Sequence, residues 1–271
     1  MSTNKVRTFY WTISHLVLYV MTLVVNYLGS SGFFNGKGQA EVSDKYNTMI
    51  TPSGFAFSIW GVIYTLLFVS LVYLFVKRNE EPIARLVERI SWFYVMSSVF
   101  NMGWIIVFSY ELIGLSTIFI LGLLFSLMLL IQRLYNDRNQ YPTNLVGASF
   151  SLYAAWVFIA SILNISLFLV QQQWNGWGIK PSIWTMVILL VAIVFVLGYV
   201  LYYRNAVFPI APAWAFFGIY RAYQTNPMPY PMTNIIEIIL LTGMGIFIVL
   251  AGWTLVRNQF NVFPKTQMLI K

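Results

Sequence analysis

Aromatic and carboxamide side chains recur at helical spacing inside apolar segments of this chain. The patterns are Phe57-x-x-Trp60-x-x-x-Tyr64, Asn101-x-x-Trp104, and Tyr153-x-x-Trp156-x-x-x-Ala160-x-x-x-Asn164. At about 100° per residue each set falls on one helix face. An asparagine carries two donors and an acceptor that hydrocarbon cannot satisfy, so its presence there needs a partner. The chemistry offered is non-covalent. Indole faces can stack on a flat molecule, while an indole N–H or an amide fixes its polar edge. The competing reading is helix packing, in which Ser and Asn hydrogen bonds contribute roughly 0.6–2 kcal/mol each. The same chemistry on several segments puts a shared cavity on equal footing with packing. The chain has no cysteine and one histidine, His15. That excludes disulfides, thiolate chemistry and a multi-histidine metal site. We find no nucleophile–base pair and no paired carboxylates, so enzyme activity and a required cofactor are not expected.

These segments are membrane spans. Of the 271 residues 59% are hydrophobic and only 9% charged, against about 25% charged in a soluble domain. The predicted fold is an all-α polytopic membrane protein. Eight segments reach or approach the roughly 20 residues a span requires: about 8–28, 54–76, 90–110, 112–134, 144–171, 182–203, 206–224 and 233–256. The seventh is short and begins at Pro209 and Pro212, so seven spans is the alternative. With eight, only Lys37, Lys45, Lys180 and Arg221 of the sixteen Lys and Arg residues lie opposite the N-terminus. Basic loops stay cytoplasmic, which puts both termini in the cytoplasm and favours an even count. It also accounts for the net charge of +8 without nucleic acid as a partner.

The connections add further expectations. The long loop 29–53 carries Asn35-Gly36 as a turn signal. Residues 77–89 read as a separate charged helix on the membrane surface, and Glu111 marks a tight hairpin between the third and fourth spans. The first span reads as retained rather than cleaved. Glu237 is the one acid inside a predicted span. With His15 it offers the titratable groups of a proton-coupled small-solute transporter, the alternative function. Its simpler reading is an ion pair with Arg221. Gly243, Gly245 and Gly252 are expected to allow close packing of the last helix.

The second, third and fifth spans resemble the TspO/translocator protein family, the tryptophan-rich sensory proteins. The matching residues are Pro52 followed by Phe57, Trp60 and Tyr64; Asn101 and Trp104; and Tyr153, Trp156, Ala160 and Asn164. Ser97 and Leu152 depart from the family's usual Gln and Pro. The resemblance covers about residues 8–170. It implies a five-helix domain over 1–171, with three additional helices over 172–271, as in an extended bacterial-type member of a bacterial cell membrane. It also implies that Phe57, Trp60, Tyr64, Asn101, Trp104, Tyr153, Trp156, Ala160 and Asn164 line a cavity beneath the 29–53 loop. The ligand implied is haem, protoporphyrin or a sterol-like lipophile, bound for sensing or transport. Light-dependent porphyrin breakdown is the one enzymatic activity the resemblance leaves open. A homodimer is compatible with this reading.

Overall fold

A computed structural model describes residues 3–46, 48–225 and 232–265. Among these residues every regular element is helical: α1 (Thr3–Ser30), α2 (Gln39–Lys45), α3 (Ile59–Val76), α4 (Glu81–Ser109), α5 (Ile113–Asn136), α6 (Asn144–Gln171), α7 (Pro181–Tyr203), α8 (Ile210–Thr225) and α9 (Thr233–Arg257). Short 3-10 turns cover Gly54–Ser58 and Gly176–Gly178. Seven of the helices are long and apolar enough to cross a membrane. A helix satisfies its own backbone, so it is the form an isolated apolar run takes in lipid. The protein is an integral membrane protein.

Polar contacts sort the helix ends into two groups. At the basic end Arg7 pairs with Glu88 and Arg89 with Asp137. There too Arg138 donates to the Pro264 carbonyl at 2.6 Å, Asn144 to Asn261 at 2.7 Å and Asn258 to the Arg204 carbonyl at 2.7 Å. At the opposite end, the lid end, Lys37 and Lys45 meet Glu111, and Tyr223 donates to the Met49 carbonyl at 2.9 Å. The start of α1 and the chain after α9 therefore share the basic end. Of the cations assigned to that end, Lys271 lies outside the described residues.

The seventh expected span is α8, only 16 residues long and about 24 Å by helical rise. It falls short of a span by length, yet it joins opposite ends of the bundle. The approach explains this. After α7 the chain turns inward, and fully buried Asn205 donates to Ser151, two turns inside α6, at 2.8 Å. The Asn205 side chain also accepts from the Val207 and Phe208 amides. Irregular backbone is tolerated at depth when protein surrounds it in this way.

Three expectations are corrected. Residues 77–89 form no separate surface helix, because α4 runs unbroken from Glu81, with Pro82 accepted in its first turn. Glu237 accepts from Gln224 Nε2 at 3.1 Å rather than pairing with Arg221. Of the three glycines of α9, only Gly243 is closely packed, against Phe216 and Ile193; a Cβ at Gly245 or Gly252 would meet nothing within 4 Å.

The closest pairing is α4 with α5, joined through Glu111 in left-handed backbone (φ 60°). A Cβ at Gly103 would stand 2.2 Å from Phe119, and one at Gly122 would stand 2.6 Å from Phe100. The two rings meet edge to face at 6.1 Å, so neither swings away alone. We expect Gly103→Ala to destabilise the protein by about 1–3 kcal/mol through overpacking. Gly245→Ala should be neutral or gain up to about 1 kcal/mol from helix propensity. Unfolding in a denaturing-detergent titration measures both, and equal effects would refute this packing account.

Candidate functional site

The start of α3 is pinned before its aromatic residues appear. Ser53 donates to the Gly218 carbonyl of α8 through its amide (3.0 Å) and its hydroxyl (2.8 Å). Trp214 Nε1 donates to the Ala56 carbonyl at 2.8 Å. The approach is so close that a Cβ at Gly218 would lie 2.7 Å from Ala56. This fixes Phe57 and Trp60 at the mouth of the bundle. Trp60 stacks on Tyr64 (5.3 Å, 18°) and lies edge to face with Tyr153 (5.8 Å) and Trp156 (6.3 Å). Trp104 approaches Trp60 from α4 at 6.3 Å, and Phe57 meets Trp156 at 6.3 Å. Three helices thus deliver their rings to one place.

Both asparagines are satisfied by protein. Asn101 accepts from Asn26 at 2.7 Å and donates to the Tyr153 hydroxyl at 2.8 Å. Asn164 accepts from Trp104 Nε1 at 3.0 Å and donates to Ser116 (2.9 Å) and Thr117 (2.8 Å) of α5. Their work is positional: Asn101 sets the Tyr153 hydroxyl and Asn164 sets the Trp104 indole. Ser149 ties α6 to α3 through Ser70.

A cavity of about 50 Å³ remains between α3, α4 and α6, lined by Phe57, Trp60, Trp104, Trp156, Ala160 and Asn164. The sequence motifs predicted these six. Tyr64 instead faces a neighbouring groove of about 560 Å³ beside α1, and Trp60 and Phe57 form the wall between the two spaces. Asn101 and Tyr153 lie outside the lining of either. The roof is α2, which lies within the 29–53 loop and contributes Gln39 and Ser43. Sequence reasoning missed both. Their i, i+4 spacing was the only available signal, and a seven-residue helix gives periodicity little room. Three buried polar atoms of the lining have no hydrogen-bond partner among the described residues: Gln39 Nε2, Ser43 Oγ and Trp156 Nε1.

The roof is tied down at its edge. Glu111 accepts from Lys37 Nζ at 2.9 Å, from Lys45 Nζ, and from the Tyr46 hydroxyl at 3.0 Å. Gln171 at the end of α6 donates to the Glu111 carbonyl at 3.1 Å. Hydrogen bonds from Lys45 and then Lys37 hold the Glu111 carboxyl down at about 2. These lysines are engaged by the protein itself rather than held free for a ligand's carboxylates.

An α-helical membrane protein with an aromatic cavity beneath a loop-borne helix is the class these features define. The TSPO-like protein family matches residues 12–253, from α1 into the last turns of α9, and the chain belongs to this family. The match runs well beyond the motifs, which end near residue 170. No curated protein and no solved structure matches the chain.

Proposed function

We propose that the protein binds a flat lipophilic ligand of the porphyrin class beneath α2 and senses or carries it at the membrane, without turning it over. The observation that supports this is the convergence of Gln39 Nε2, Ser43 Oγ and Trp156 Nε1, buried and unpartnered, on one aromatic-walled cavity. Buried polar groups are nearly always paired, so three orphans around one space point to a ligand's polar edge. The cavity, about 50 Å³, is well below the roughly 300–1,000 Å³ of ordinary ligand sites. A macrocycle therefore needs the adjoining groove of about 560 Å³, with Trp60 swung out of the wall. The positive-inside rule sets the basic end, and with it both termini, in the cytoplasm. The lid then faces outward.

The proton-coupled alternative has less support. Glu237 lies in the first turns of α9, bonded to Gln224, while His15 is buried halfway along α1 between Trp11 and Tyr94, on a helix that does not pack against α9. Quenching of tryptophan fluorescence by protoporphyrin tests the binding reading. It should be saturable, and Ala160→Phe, which fills the cavity from its α6 wall, should weaken it about tenfold or more at a stability cost of about 1–3 kcal/mol from overpacking. Unchanged quenching in Ala160→Phe would remove this cavity as the site. Uptake of a small solute lost in Glu237→Gln would favour the transporter.

A further inference from the structure

The lid end has a second opening, between α6 and α7. These helices are consecutive in sequence, yet α7 packs on α9 while α6 packs on α5, α3 and α8. They meet at Phe158 and Phe195, whose rings stack 4.5 Å apart, and diverge from there toward the lid end. The wedge between them is a groove of about 720 Å³, closed on its third side by Thr48, Met49 and Ile50. Next to it, sharing Ile50 and Ile188 with the groove, is a neck of about 20 Å³ reaching Leu163, Ala192 and Phe216, whose lining residues are all apolar. That is about one water-sized sphere across, the width of a methylene chain and not of a fused ring system. From Pro181 at the mouth to Ala192 at the neck is on the order of 16 Å along α7.

The mouth has a different character. Trp174 and Trp184 sit 5.3 Å apart, with Trp184 Nε1 donating to the Gly176 carbonyl at 2.9 Å. Tryptophan with one bonded N–H is suited to the membrane–water boundary. Lys180, between Ile179 and Pro181 of the groove lining, is exposed and makes no ion pair among the described residues. By contrast, Lys37 and Lys45 are both held by Glu111.

We propose that this wedge is a binding site for a single-chain anionic amphiphile. Its acyl chain fills groove and neck, and its carboxylate or phosphate headgroup lies at Lys180 beside Trp174 and Trp184. Ile159 and Leu163 stand between the neck and the cavity at Trp156 and line both, but the groove, Lys180 and the α7 residues belong to this site alone, so either reading can fail without the other.

Photolabelling of the full chain in neutral detergent tests it, using a long-chain fatty acid with a mid-chain diazirine and its lysophosphatidyl and trimethylammonium counterparts. Both anionic probes, or one of them, should label residues 159–169 and 185–192, competed by excess unlabelled palmitate. The stronger probe identifies the headgroup as carboxylate or phosphate. Half-buried Ile188, changed to Trp, should block the neck and cut labelling about fivefold or more, and exposed Lys180→Glu should cut it about threefold or more by charge reversal. Labelling spread over the outer faces of α5 and α9, uncompeted by palmitate, would overturn the site. Equal labelling by the cationic probe would overturn its anionic character. Competition and Lys180→Glu decide the matter even if Ile188→Trp does not fold.

Discussion

Replacing Asn164 by leucine should destabilise the protein by about 2 kcal/mol and loosen the cavity wall at the same time. The size follows from what each partner can do once the carboxamide is gone. Ser116 and Thr117 already donate to the Ile113 carbonyl within α5, at 2.8 and 2.9 Å, so their hydroxyls retain a partner. The Trp104 indole does not: its N–H donates to Asn164 Oδ1 at 3.0 Å and has no other acceptor among the described residues. An indole is a donor only, which also fixes the orientation of the Asn164 amide. The loss is therefore close to that of one buried orphaned donor, about 1–3 kcal/mol, rather than the sum of all the bonds Asn164 makes. Unfolding in a denaturing-detergent titration reads this directly. Ser116→Ala is the control, expected to cost under about 1 kcal/mol. The tryptophan emission of Asn164→Leu should shift as Trp104 loses its fixed orientation. A variant as stable as the parent, with unshifted emission, would remove the positional role assigned to Asn164.

The same bonds show where sequence reading stopped. The steps from Tyr153 to Trp156, Ala160 and Asn164 put these residues on one face of α6, and that face does look inward. The long apolar runs located the seven spanning helices, because hydrocarbon length and backbone satisfaction leave few other solutions. What a face looks at was not legible. Asn101 read as a ligand contact because its partners, Asn26 and Tyr153, lie on α1 and α6, 75 and 52 residues away. Periodicity within one helix says nothing about the helix across from it. Residues 77–89 read as a surface helix because their charges break the apolar run. In the structure those charges cap the basic end of α4, with Glu88 on Arg7 and Arg89 on Asp137. The shortness of α8 was visible. Its buried lead-in through Asn205 was not, since one asparagine in a loop carries no pattern.

Glu111 was legible only as a separator between two spans, yet it carries the second large effect we expect. It is the acceptor for Lys37, Lys45 and Tyr46, and so joins the α4–α5 turn to both flanks of α2. Glu111→Gln keeps the side-chain shape and the left-handed backbone at φ 60°, so it isolates the charge. We expect α2 and its flanks to open more often in the variant, with trypsin cleavage after Lys37 and Lys45 about tenfold faster under native conditions. The parent should approach the same state in acid. Its carboxyl titrates at about 2 in the folded protein against 4.5 for the free group. The folded-state value is depressed, so the ion pairs contribute fully above about pH 4.5 and their contribution is lost as pH falls toward 2. Tryptophan emission at the lid end should change over that window in the parent, and this transition should be missing from Glu111→Gln. The lysines are well exposed, with side chains 46% and 48% accessible. About 0.5 M salt should therefore reproduce part of the opening at neutral pH, because exposed pairs are screened. If cleavage at both lysines is unchanged in Glu111→Gln and insensitive to salt, α2 is held by its apolar face, with Val42 fully buried, and access to the cavity must be sought through Trp60 alone.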